Sequence, residues 1–282
     1  MEGIHDFLGP RDPKMTKYLL MESPTKPILL SALYLLIVLY AGPEFMKHRK
    51  PFELRVPMFI YNMFLVGLNG FLFIRSIVVA WSWYDWRCQP IDLSHSDHAV
   101  KMTHISWIFY MSKIIEYCDT IFFILRKKGS QINFLHVFHH STVPITTWFG
   151  ITYGPGGYNT AFPSANAFVH IWMYLYYGLA SLGPGIQKYL WWKKYLTKLQ
   201  LAQFVFVFVY FLQLSLFPKE GCNVTPFLKA LTLGQAVLYF FLFMHFYLRS
   251  YGGRPKKSDL KSEGPQQQNG HSKNGAVNKK MK

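Results

Sequence analysis

Acidic residues are scarce in this chain of 282 residues, where 14 Asp and Glu stand against 30 Lys and Arg. Charge of either sign is thin, at 16% of residues where a soluble domain averages about 25%. Three cysteines exclude a disulfide scaffold and leave room for one bridge at most. The first residues lack the apolar stretch of a secretory leader, because Glu2, His5, Asp6, Arg11 and Asp12 occupy its place. A net charge of +16 first points to nucleic acid, but such binders carry their basic residues on a charged, soluble surface. Here the basic residues flank long apolar runs, so no nucleic-acid partner is expected.

Apolar sequence is what the chain has in quantity: 51% of residues are hydrophobic and 18% aromatic. A helix needs about 20 mostly apolar residues to cross a bilayer. Seven stretches qualify: 27–44, 57–81, 102–125, 133–152, 162–182, 199–217 and 227–249. The expected fold is therefore all-α, a polytopic membrane protein with seven transmembrane helices. Residues 1–26 form an N-terminal segment, 27–250 the membrane domain and 251–282 a tail. The tail is rich in Lys, Gln, Asn, Gly and Ser, a composition that cannot bury a core, and is expected to be disordered.

Basic residues orient the spans. Of the 30 Lys and Arg, 20 fall in the segments on the C-terminal side and 8 in the opposite set; Arg75 and Lys113 lie inside spans. The positive-inside rule makes the C-terminus cytosolic and the N-terminal segment lumenal. Lys279 and Lys280 then form a dilysine ending on a cytosolic tail, which reads as a retrieval signal of the endoplasmic reticulum membrane. Cys88 and Cys222 share the lumenal side, where an oxidising environment allows a disulfide. Cys118 lies within a span and is expected to be a small buried hydrophobe. The sequon Asn223-Val224-Thr225 is expected to stay unmodified, since Pro226 follows it and the loop is short.

Ionisable residues inside a membrane are costly and point to function. In the third span, Lys113, Glu116 and Thr120 share one helical face, with Asp119 beside them. A Lys113–Glu116 ion pair is the structural reading, yet it leaves one carboxylate over. In the fourth span His136, His139 and His140 stand at i, i+3 and i+4, so three imidazoles share a face. A lone histidine is usually a satisfied core residue; three within one turn each need partners, which favours function. Asn166, His170, Tyr174 and Tyr177 line one face of the fifth span, and Thr197, Gln200 and Gln203 open the sixth. Pro144 is expected to bend the helix beside the histidines. Counted back from the cytosolic ends at 1.5 Å per residue, these groups reach similar depths and describe one buried polar chamber. The lumenal halves of the spans are apolar, which suits a greasy tunnel beyond it.

Three function classes compete. A membrane di-iron oxidoreductase uses His-x-x-His-His boxes but needs several, and one box would under-ligate two irons. A seven-helix receptor fits the topology but has no use for clustered His, Lys, Glu and Asp at cytosolic depth, and a transporter would show an internal repeat. An acyl-transfer enzyme acting on a thioester suits all the features. Its phosphates would meet the basic rim of Lys193, Lys194 and Lys198, its acyl tail would enter the tunnel, and histidine would serve as nucleophile or base.

Four motifs narrow the choice. Lys113-x-x-Glu116-x-x-Asp119-Thr120, Gln131-x-x-Phe134-Leu135-His136-x-x-His139-His140, Asn166-x-x-x-His170-x-x-Met173-Tyr174-x-Tyr176-Tyr177 and Thr197-x-x-Gln200-x-x-Gln203 resemble, in order and spacing, those of the ELO family of very-long-chain fatty acid elongases. The resemblance covers roughly residues 25–250, and the stretch 187–196 is most similar to the subgroup acting on saturated and monounsaturated acyl-CoAs.

The resemblance implies six helices surrounding a closed-ended acyl tunnel and condensation of an acyl-CoA with malonyl-CoA. The products would be a 3-oxoacyl-CoA two carbons longer, CoA and CO₂. No cofactor or metal is implied. The rest of the cycle would fall to a 3-oxoacyl-CoA reductase, a 3-hydroxyacyl-CoA dehydratase and an enoyl-CoA reductase; homo-oligomerisation is left open. Three imidazoles facing a fourth motivate a ping-pong route in which His139 takes the acyl group. His170 and Asn166 would steady the enolate or oxyanion, Asp119 or Glu116 would orient the histidines, His136 and His140 would fix tautomers, and Lys113 would hold Glu116 or meet a carboxylate. Tyr174, Tyr177, Gln200 and Gln203 would line the substrate path.

Overall fold

The computed structural model describes residues 7–252, and its regular structure is entirely helical among them. The main helices are α1 (Thr25–Met46) and α2 (Arg55–Trp81), α3 (Asp97–Ile115), α4 (Tyr117–Leu125), α5 (Phe134–Tyr153), α6 (Ala161–Ser181), α7 (Lys193–Leu216) and α8 (Pro226–Tyr251). Each expected apolar stretch coincides with helix, and the third is divided into α3 and α4 at a single residue, Glu116. Local chemistry marks the starts. Ser96 accepts from the Ala99 amide at α3, and Asn133 accepts from the His136 amide at 3.0 Å at α5. At α8 the Thr225 hydroxyl accepts from the Leu228 amide and Pro226 takes the first turn, so the sequon threonine serves as a helix cap. The α5 helix runs on through Pro144 without a break.

Four helices, α1, α2, α7 and α8, are long and apolar enough to cross a membrane by length and composition. The helices carrying Lys113, the three histidines and Asn166 are not among them, because polar residues dilute their hydropathy. Large apolar side chains stand exposed on outer faces, among them Leu29, Ile60, Trp83 and Phe241. An apolar surface of that extent suits lipid rather than water, and the chain is a multi-pass membrane protein. Cys118, expected inside, lies exposed on α4: in a membrane helix the outward face is apolar too, so a small hydrophobe has no reason to turn inward.

Neighbouring helices form a circuit. Packing runs from α2 to α3, α5, α8, α7 and α6 and returns to α2, while α1 lies outside it against α5 and α4. Interior-facing polar residues of α3, α5 and α6 therefore meet within the circuit.

The ends of α3 and α5 near Thr103 and Thr152 are covered by a strap formed by residues preceding α1. Asp12 is fully buried; its amide donates to the Thr152 carbonyl at 3.0 Å and its carboxylate accepts from Thr103 Oγ1 at 3.0 Å. Lys14 donates to the Leu93 and Ser94 carbonyls at 2.9 and 2.8 Å, and the Trp148 and Trp107 indoles donate to the Leu20 and Leu19 carbonyls. Met15 and Met21 fill the space between Tyr110, Trp148 and Ile151. On the same end a disulfide joins Cys88, between α2 and α3, to Cys222, between α7 and α8.

Candidate active site

The break at Glu116 sits at the centre of a buried polar network. Lys113, one turn earlier on α3, donates to Glu116 Oε1 at 2.7 Å and to Asn166 Oδ1 on α6 at 2.9 Å. His170, one turn beyond Asn166, places Nδ1 3.1 Å from Glu116 Oε1. These four side chains join α3 to α6, and only 1–2% of Lys113 and Glu116 is exposed.

The network determines its own proton positions. Asn166 must turn its oxygen to the Lys113 ammonium, so its amide hydrogens face His170 Nε2 at 3.2 Å. Nε2 is then the acceptor, and Nδ1 carries the hydrogen that it donates to Glu116. Lys113 Nζ also lies 3.4 Å from Nδ1, but both groups are donors and this contact is a near approach only. Every polar atom of His170 is thus engaged, and the Lys113 charge is balanced by Glu116.

Asp119 belongs to a second group. Tyr174 donates its hydroxyl to Asp119 Oδ2 at 2.9 Å, and the Tyr174 ring packs edge-on to His170 with centroids 5.7 Å apart. Of the two carboxylates expected to orient histidines, Glu116 does so and Asp119 holds a tyrosine.

The three histidines of α5 divide by environment. His136 Nε2 lies 2.8 Å from Thr120 Oγ1, which also pairs with Tyr34 of α1 at 2.9 Å. His136 and His140 have ring centroids 4.3 Å apart, and His139 and His140 5.4 Å. No hydrogen bond joins the three rings, so tautomer fixing by His136 and His140 is replaced by the Thr120 contact to His136 alone. Among the described residues the ring nitrogens of His139 and His140 have no hydrogen-bond partner. His139 is set against Tyr239 and Phe243 of α8, at 5.2 and 6.3 Å between centroids. The Tyr239 hydroxyl is held in turn by Thr142 at 2.7 Å, one turn along α5. Among the described residues no three His, Cys, Asp or Glu side chains converge as metal ligands.

The remaining candidates lie around this centre. Tyr177 is partly exposed, with its ring 6.1 Å from that of Tyr174. Gln203 is buried on α7 and makes no hydrogen bond to the network, while Gln200 contacts Met173 Sδ at 3.7 Å. Lys193, Lys194 and Lys198 are exposed at the start of α7, the latter two beside the Tyr195 ring. His245 is exposed on α8. Lys279 and Lys280 lie outside the described residues.

Tyr34, Thr142 and Tyr239 escaped the sequence reading. Aromatic and hydroxyl residues are common in membrane helices, and their spacing carries no signal until the helices are placed side by side.

The profile of the GNS1/SUR4 family, ELO, matches residues 19–259. The Drosophila melanogaster protein "Very long chain fatty acid elongase 7" is 44% identical over 275 residues, covering 96% of this chain and 83% of its own. The human "Very long chain fatty acid elongase 1" is 43% identical over 242 residues, with 85% and 86% covered. Human "Very long chain fatty acid elongase 4" is 42% identical over 265 residues, with 94% and 82% covered. The chain is a member of the ELO family.

Proposed function

We propose that this chain is the condensing enzyme of fatty acid elongation and that His139 carries the acyl group between its two half-reactions. The elongase assignment rests on family membership and on relatives of like length named as very-long-chain fatty acid elongases. The single observation behind the choice of His139 is its unengaged imidazole, held by the α8 aromatics beside a centre in which His170 is fully hydrogen-bonded.

In the first half-reaction a ring nitrogen of His139 attacks the thioester carbon of an acyl-CoA. The carbon–sulfur bond breaks, the imidazole N–H proton passes to the departing thiolate, and a neutral acyl-imidazole remains. Malonyl-CoA then loses CO₂. Its enolate carbon attacks the acyl carbon, the acyl–nitrogen bond breaks, and the imidazole takes one proton from solvent. The second amide hydrogen of Asn166 is the donor that steadies the enolate oxygen, with His170 and Lys113 holding the amide in place and Glu116 holding them.

All seven helical stretches cross the membrane of the endoplasmic reticulum in this reading, with the C-terminus cytosolic. The acyl tail runs inside the circuit of six helices, away from the basic rim of α7 that meets CoA phosphates. No cofactor takes part. The product passes to a reductase, a dehydratase and a second reductase.

Incubation of the purified protein with acyl-CoA alone, followed by intact-mass measurement, tests the route. A mass gain of one acyl group, absent in His139→Ala, is the expected result. No adduct, or one that survives His139→Ala, refutes His139 as nucleophile.

A further inference from the structure

The break between α3 and α4 has no local cause, because neither Pro nor Gly stands between Lys113 and Thr120. The Glu116 amide still reaches back to the Ser112 carbonyl at 2.9 Å. The Asp119 amide does not continue the pattern: it turns to the Glu116 carbonyl at 3.1 Å, three residues back rather than four. The Ile115 carbonyl is thereby left without its usual helical donor. A carbonyl at membrane depth needs a partner, and this one finds it on another helix. Tyr61 of α2 donates its hydroxyl to the Ile115 oxygen at 3.2 Å.

Tyr61 touches both halves of the divided span. Its hydroxyl meets the last carbonyl of α3, and its ring packs on Phe122 of α4 with centroids 5.1 Å apart. The two carboxylates flank the break, Glu116 turned to Lys113 and His170, and Asp119 turned to Tyr174. Asp119 also lies near the Tyr61 hydroxyl and competes for its single proton.

We propose that Tyr61 is a positioning residue for the condensation step: its hydroxyl holds the break at Ile115, and the break aims Glu116 at His170. The proposal rests on the reading that Asn166, held by His170, steadies the enolate. Without the hydroxyl, the Asp119 amide returns to the Ile115 carbonyl and the span closes into one continuous helix. Glu116 then rotates away from His170 Nδ1, His170 loses its fixed tautomer, and the Asn166 amide is no longer aimed. His139 belongs to α5 and is flanked by Tyr239 of α8, so it keeps its place. Loss of the Tyr61 hydroxyl therefore slows the second half-reaction and spares the first.

The full-length protein in lipid nanodiscs, as wild type and as Tyr61→Phe, provides the test through two readouts. The first is kinetic: the acyl adduct is formed with acyl-CoA alone, and labelled malonyl-CoA is then added. Tyr61→Phe is expected to acylate within about twofold of the wild-type rate and to condense at least about tenfold more slowly, with little change in KM for malonyl-CoA. The second is spectroscopic. Ile115-Glu116 is the sole Ile-Glu step in the sequence, so carbonyl-carbon-labelled isoleucine with nitrogen-labelled glutamate gives one magnetic-resonance correlation from this peptide bond. That carbonyl signal is expected to move in Tyr61→Phe. An unmoved signal places the hydroxyl on Asp119 and overturns the proposal. Condensation at the wild-type rate, or acylation and condensation slowed alike, overturns it too. If Tyr61→Phe fails to accumulate, Tyr61→Met is judged by the same readings. Absence of incorporation by the wild-type protein refutes the elongase reading itself, and absence of an acyl adduct refutes only His139 as carrier; the carbonyl signal reads the hold of Tyr61 on the break in either case.

Discussion

Tyr174 donates its hydroxyl to Asp119 at 2.9 Å while its ring covers the edge of His170. One side chain thus ties together the carboxylate of α4 and the imidazole of α6, although Asp119 and His170 share no hydrogen bond. Tyr174→Phe keeps the ring and deletes the bond, leaving a buried carboxyl oxygen unpaired at a cost of about 1–3 kcal/mol. Reduced thermal stability in detergent, with a fall in kcat larger than any change in KM, is the expected pattern. A change in KM alone would mean that Tyr174 serves substrate rather than Asp119.

Lys113 and Glu116 form a buried pair at 2.7 Å. Removing one partner strands a charge, which costs about 3–5 kcal/mol, whereas replacing both by apolar residues of similar size is often neutral. Lys113→Met with Glu116→Leu is therefore expected to be more stable than Glu116→Leu alone. Both variants are expected to lose activity, because His170 loses its Glu116 anchor in each. Equal melting temperatures for the double variant and Glu116→Leu would contradict the pairing.

The Thr120 hydroxyl serves both His136 and Tyr34. Thr120→Val is nearly isosteric and removes both bonds, worth about 1 kcal/mol each. Turnover is expected to fall on the order of tenfold or more as His136 loses its anchor. Tyr34→Phe removes only the outer bond and is expected to have a smaller effect, so rate constants for the two variants side by side check the order of the relay.

Cys88 and Cys222 lie 134 residues apart in sequence and are joined by a disulfide. A bridge closing so long a loop contributes about 2–5 kcal/mol in small domains. Cys88→Ser, Cys222→Ser and the double variant are expected to melt at the same lowered temperature. Reducing agent should lower the wild type to that value and leave the variants unchanged.

Much of the helix pattern could be read beforehand, because a bilayer demands long apolar runs and makes interior charges conspicuous. Lys113 and Glu116 fall at helical spacing, and their pairing followed from it. What could not be read depends on how helices are rotated against one another. The partnership of Glu116 with His170 needs the α3–α6 juxtaposition, and Tyr239 meets His139 only because α8 packs on α5. Three imidazoles on one face looked like one unit, yet Thr120 engages one and α8 aromatics flank another. The division of the third span at Glu116 is also invisible in the sequence, since no Pro or Gly stands there. Gln203 shares the depth of the network without joining it, so depth alone overstates convergence.

The strap has a consequence for the order of events. Its residues leave the ribosome before α1, but their partners Thr103, Trp107, Trp148 and Thr152 come from α3 and α5. Asp12 and Lys14 can pair with each other at once, at 3.1 Å, but their burial must wait until about 140 further residues have been made and inserted. The strap is therefore made before the helices it covers yet placed after them, and its docking reports that the helices beneath it have assembled.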